Sequence, residues 1–160
     1  MEKLTTKRAR LPQELPAIKT LYASLLDCDA DRPELGTYLD AVTLRAQSRY
    51  AYFLLMADGT LPVGLIRGEI HVAMPGRING PVGYVQEFYI VPEHRGTRGT
   101  AMLMDEVCRW INRAGCSQVY SNCTSDVSRH LFEAAGGTRL DYWQCSLARC
   151  EAYTTAKLRR

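Results

Sequence analysis

Apolar residues recur at helical spacing through Leu15, Ile18, Leu21, Tyr22 and Leu25, which predicts an amphipathic helix beginning near Pro12. Residues 3–8 ahead of it suit a short strand. A polar, Asp-rich break over 27–33 separates this helix from a second, less regular one over 33–48, carried by Leu35, Leu39, Val42, Leu44 and Ala46. The period then changes. Residues 50–56 form a continuous apolar run of strand length, Ala57-Asp58-Gly59-Thr60 reads as a turn, and a partner strand follows over about 62–74. Gly64 and Gly68 inside that partner signal a bulge or a close backbone approach.

After a turn over 75–81, residues 82–90 (V-G-Y-V-Q-E-F-Y-I) predict a core strand, ended by Pro92, which cannot donate to a sheet ladder. A loop rich in Arg, Gly and Thr leads into a helix whose apolar positions are Ala101, Leu103, Met104, Val107, Cys108 and Ile111, closed by Gly115. A short strand over 117–122, a polar loop, a helix over 127–135 stopped by Gly136-Gly137, and a last strand over 138–148 complete the pattern. The class is α/β: a central mixed, mainly antiparallel sheet with helices on both faces. At 160 residues the chain suits one domain, residues 1–150, with a basic tail at 151–160 that frays.

Composition narrows the function by exclusion. Hydrophobic residues make up 46% and charged residues 23%, as in ordinary globular proteins. A net charge of +3, with the basic residues gathered at the two ends, argues against nucleic acid as a partner. No stretch approaches the roughly 18 apolar residues of a membrane span, and no signal-peptide core opens the chain, so a cytoplasmic protein away from membranes is expected. The six cysteines, at 28, 108, 116, 123, 145 and 150, lack zinc spacing and read as free thiols, and no metal site is suggested.

The passage from strand to helix across residues 90–101 carries the candidate chemistry. The first amides of a helix lack internal acceptors, and its dipole adds partial positive charge at that end. With Gly96 and Gly99, the hydroxyls of Thr97 and Thr100, and the charges of Arg95 and Arg98, a phosphate or diphosphate is the natural guest. The spacing is neither that of a P-loop nor G-x-G-x-x-G. Ile90-Val91-Pro92-Glu93-His94-Arg95-Gly96 resembles instead the central motif of the GNAT superfamily of N-acetyltransferases, a strand ending in V-x-P-E-x-R-G before a loop of the form R/Q-x-x-G-x-G/A. Arg98 and Thr100 replace the usual small residues there. A second family motif, N-x-x-A-x-x-L-Y-x-K-x-G-F, lies in frame over 125–137. Leu131 and Gly136 match it, while Ser125, Ser128 and Phe132 replace the Asn, Ala and Tyr.

The resemblance implies a GNAT-like three-layer sandwich that uses acetyl-CoA as cosubstrate and passes its acetyl group to a primary amine, on a small molecule or a protein, by direct attack in a ternary complex. It implies cofactor contacts from Phe88, Tyr89 and Ile90 through their backbone, from Arg95, Gly96, Thr97, Arg98, Gly99, Thr100 and Ala101, and from Ser125, Ser128 and Phe132. A homodimer follows from family habit. An alkyl ammonium holds its proton to a pKa of about 10.4, so a base is needed at neutral pH. Glu87, inside the core strand over 82–90, is the catalytic candidate. Strand alternation sets Gln86 and Glu87 on opposite faces; if Gln86 faces the acceptor, Glu87 is left as a partner for an Arg. Glu69, beside His71, is the reserve, with a solvent-facing strand position as its plain reading. Because Phe132 cannot protonate a thiolate, Tyr142, Tyr120, Tyr89 or water is left for that role. These departures also motivate an alternative, a non-catalytic acyl-CoA-binding or interaction module on the same fold. The acidic residues Asp27, Asp29, Asp31 and Glu34 offer attraction for a cationic amine.

Overall fold

The computed structural model of the chain describes residues 4–72, 80–122, 129, 130 and 133, without the side chain of Thr97. The chain divides into two compact units, Met1–Ser121 and Asn122–Arg160. In the first, the strands β1 (Leu4–Arg8), β2 (Ala51–Asp58), β3 (Leu61–His71), β4 (Val82–Ile90) and β5 (Val119–Ser121) form one sheet in sequence order. Its pairings are antiparallel except for the parallel β4–β5 pair. The helices are α1 (Leu15–Leu26), α2 (Pro33–Ala46) and α3 (Thr97–Arg113). No helix among the described residues is long and apolar enough to cross a membrane. In the second unit Arg129, His130 and Glu133 are helical, as expected for 127–135, and His130 Nδ1 lies 3.4 Å from Glu133 Oε2. The last predicted strand and the tail lie outside the described residues.

Two boundaries differ from expectation in an instructive way. The first helix begins at Leu15, and Pro16 rather than Pro12 occupies its first turn, where a missing amide costs nothing. The third helix begins at Thr97, four residues before the apolar pattern that announced it, because Thr97 to Thr100 form a first turn that is largely polar. Residues 97–100 are therefore helix rather than loop.

Each face of the sheet is covered for a legible reason. On one face Ile18, Leu21 and Tyr22 of α1 and Leu35, Leu39 and Val42 of α2 join Phe53, Leu55, Leu65 and Tyr89 in a single buried cluster. On the other, α3 lies so close that a Cβ at Gly68 would sit 2.6 Å from Val107 Cγ2, and one at Gly83 2.4 Å from Ile111 Cγ2. These glycines admit the helix. Gly68 also marks a bulge: Arg67 faces Glu87 while Gly68 faces Val85, which leaves Gln86 as an extra residue on β4. A bulge of this kind breaks the alternation of side chains. Gln86 and Glu87 consequently reach the same face, contrary to the simple strand rule.

Candidate active site

The bulge brings a polar cluster together on the α1/α2 face. Arg67, only 5% exposed, clamps the Glu87 carboxylate with two donors, Nε to Oε2 and Nη2 to Oε1, the latter at 2.7 Å. Its Nη1 donates to Glu69 Oε1 at 2.5 Å. Glu69 Oε2 lies 3.1 Å from His71 Nε2, and Gln86 Nε2 reaches it at 3.5 Å. Glu69 is thus buried, at 8% exposure, rather than solvent-facing, because Arg67 compensates its charge. From α2 the Tyr38 hydroxyl donates to Glu87 Oε1 at 2.5 Å, and from α1 the Tyr22 ring meets the Tyr38 ring edge-on at 5.6 Å.

Electrostatics follow the burial. Desolvation works against the charge on Arg67, but the hydrogen bonds and charge of Glu87, helped by Tyr22 and Glu69, outweigh it and hold the guanidinium protonated above its ordinary range. Desolvation, then the hydrogen bond to and charge of Glu87, push the Tyr38 hydroxyl up to about 12, and desolvation raises Tyr22 further. An unfolded tyrosine ionises near pH ~10. The folded state keeps the Tyr38 proton longer, so this contribution to stability is complete below pH ~10 and is lost between there and about 12. In alkaline melts, Tyr38→Phe is expected to lose stability less steeply over that window than the native chain.

The cofactor candidates divide by where their backbone points. The Val91 amide donates to the Val63 carbonyl at 2.9 Å, so alternation turns the amide of Tyr89 toward β3 and those of Phe88 and Ile90 to the opposite edge of β4. Beyond Val85 that edge has no strand partner among the described residues. Phe88 and Ile90 therefore turn their backbone donors to an edge with no strand partner among the described residues, whereas Tyr89 supplies a ring, buried in the α1/α2 cluster. Arg95 folds back, its Nε donating to the Ile90 carbonyl at 3.0 Å and its guanidinium lying over the Tyr89 ring. His94 Nε2 lies 3.2 Å from Asp58 Oδ2, which ties the single 3-10 turn of Pro92–His94 to the end of β2.

Gly96 caps α3 with no side-chain hydrogen bond, and no acidic residue stands in the first turn, so the leading amides of Thr97, Arg98 and Gly99 have no side-chain acceptor among the described residues. A Cβ on Gly96 would meet nothing within 4 Å. That side of the helix start is open among the described residues, as an anion seat requires. Arg98 is exposed beside it, without an ion pair among the described residues. Gly99 has a different task from the one its place in the motif suggests: it is buried, and a Cβ there would sit 3.1 Å from both Met56 Sδ and Met56 Cε. It lets the helix start settle on β2. Ala101 is exposed, off the buried stripe of Leu103, Val107 and Ile111. Ser125, Ser128 and Phe132 lie outside the described residues, as does Tyr142, while the Tyr120 hydroxyl donates to Gln118 at 2.6 Å. Of the acidic segment, Asp31 pairs with Lys19 and Glu34 with Arg32. The sequence reading missed Arg67 and Tyr38; a lone Arg amid an apolar strand was the available signal for the first.

The residues present suit acetyl-CoA: a free strand edge for an extended amide-bearing arm, and an uncapped helix start for a diphosphate. Comparison with known proteins agrees. The acetyltransferase (GNAT) family model matches residues 17–137. An aminoglycoside N(6')-acetyltransferase type 1 from Stenotrophomonas maltophilia is 30% identical over 131 residues, 78% of this chain and 82% of the relative. Among solved structures, a predicted acetyltransferase from Clostridium acetobutylicum with acetyl-CoA superposes with a TM-score of 0.76 at 12% identity, over 90% of this chain and 96% of that one. The aminoglycoside 6'-N-acetyltransferase AAC(6')-IG from Acinetobacter haemolyticus gives 0.68 at 20% identity, over 84% and 91%. The fold and site define an N-acetyltransferase with acetyl-CoA as cosubstrate. The chain belongs to the acetyltransferase (GNAT) family.

Proposed function

We propose that the protein, as one domain over residues 1–150, acetylates a primary amine of a small, cationic acceptor, the amine attacking the thioester directly while both substrates are bound. The observation that carries this reading is the Glu87–Arg67–Glu69 cluster on the α1/α2 face of β4, whose opposite edge beyond Val85 has no strand partner among the described residues. Two carboxylates against one guanidinium favour a cation. The aminoglycoside acetyltransferase similarity supports an amino-sugar type of acceptor.

Bound acetyl-CoA supplies an activated acetyl group and a thiolate leaving group. The first-turn amides of α3, with Arg98 beside them, would hold its diphosphate, and the outward amides of Phe88 and Ile90 would hold its arm and the thioester carbonyl. Arg67 aims the Glu87 carboxylate, so Glu87 draws the acceptor's ammonium and takes its proton, directly or through a water. Glu69, backed by His71, is the alternate acceptor of that proton.

A cytoplasmic enzyme without nucleic-acid or membrane partners, working as a homodimer, fits this reading. The test is release of free thiol from acetyl-CoA across an amine panel. Glu87→Gln should lower turnover by about 100-fold or more while leaving CoA binding in calorimetry unchanged. Equal turnover would remove Glu87 from the mechanism. Binding of CoA with no acetyl transfer to any amine would favour a non-catalytic acyl-CoA-binding module.

A further inference from the structure

Three groups from three elements meet at one point of the site. Glu87 Oε1 receives the Arg67 guanidinium on one side and the Tyr38 hydroxyl on the other. Arg67 is buried and locked by two carboxylates, whereas Tyr38 is 39% exposed on α2 and bound to the site through that hydroxyl and its edge contact with Tyr22. Of the two donors, Tyr38 is the replaceable one. The Tyr22 hydroxyl is a separate anomaly: the residue is 1% exposed, and its oxygen, beside Glu87 and Tyr38, is buried without a well-formed hydrogen bond among the described residues. Buried polar atoms are rarely left so, and each one calls for an explanation.

We propose, building on the acetyltransferase reading above, that Tyr38 holds the acceptor's place in the free protein. The acceptor's ammonium displaces the Tyr38 hydroxyl as donor to Glu87 Oε1, and the Tyr22 hydroxyl then takes its missing partner from a hydroxyl next to the acceptor's amine. The site accordingly selects a primary amine with a neighbouring hydroxyl, as in an amino sugar, over a plain alkyl amine. The exchange is one charge-assisted hydrogen bond for another of the same kind, so it costs little in Glu87 solvation and is decided by the donor's charge. Tyr38 thereby sets acceptor affinity without entering the chemistry.

The experiment compares glucosamine with cyclohexylamine on the native chain, Tyr38→Phe and Tyr22→Phe. Removing the competing donor should lower the KM for both amines on the order of tenfold in Tyr38→Phe, with the Kd for CoA unchanged. Tyr22→Phe deletes only an unpartnered hydroxyl, so its melting temperature should hold while its preference for glucosamine over cyclohexylamine disappears. An unchanged or higher KM in Tyr38→Phe would overturn the displacement, and a retained preference in Tyr22→Phe would overturn the hydroxyl seat. Calorimetric titration of glucosamine into the CoA-saturated proteins reads the same seat without turnover. Tighter binding in Tyr38→Phe with no thiol released would sink the acetyl-transfer reading alone, and equal binding would sink this one.

Discussion

Replacing Arg67 by alanine is expected to destabilise the protein by about 3–5 kcal/mol, the cost of leaving buried charge uncompensated. Of the two carboxylates that Arg67 serves, Glu69 is buried and Glu87 half-buried, and no other Lys or Arg is hydrogen-bonded to either among the described residues. The loss therefore exceeds that of one ion pair between exposed groups, which is worth at most about 1 kcal/mol. Denaturant unfolding of Arg67→Ala and of Arg67→Ala combined with Glu87→Gln measures it. The second protein should be the more stable, since one stranded charge has been removed. If Arg67→Ala melts like the native chain, the clamp is not what holds the two strands in register at the bulge.

That clamp also shows where reading the sequence succeeds and where it stops. The order of strands and helices was legible because period-2 and helical patterns switch cleanly at Gly59, Pro92 and Gly115, residues whose backbone chemistry ends elements. The candidate anion seat could be proposed from sequence because it is local, six residues between Arg95 and Thr100. The polar cluster could not. It depends on a one-residue shift between β3 and β4, and although Gly68 signals a bulge, neither strand alone says which residue of the partner is left over. Without it Gln86 and Glu87 point apart, Glu69 looks like a surface residue, and nothing connects Tyr38, 49 residues away, to Glu87. Gly99 teaches the complementary lesson. A glycine in a motif is read as room for a ligand, yet this one makes room for Met56.

The difference between the two glycines yields the cleanest test of the cofactor seat. A bulky residue at Gly99 would strike Met56 and unseat the start of α3, so lost binding there would be uninformative. Gly96 is the position to change, because its Cβ direction is open and its extended backbone accommodates any residue. Gly96→Asp places a carboxylate at the N-cap of α3, where it accepts hydrogen bonds from the first-turn amides and adds a few tenths of a kcal/mol of stability, roughly the difference between Asp and Gly at such a cap. Those are the amides assigned to the diphosphate. The variant's own carboxylate then competes for them and repels the ligand's charge, so CoA affinity should fall at least about 30-fold while the melting temperature stays level or rises. Opposite signs for stability and affinity are what separate a blocked seat from a damaged fold. Unchanged CoA affinity in a normally folded Gly96→Asp would place the diphosphate elsewhere and take the start of α3 out of the site.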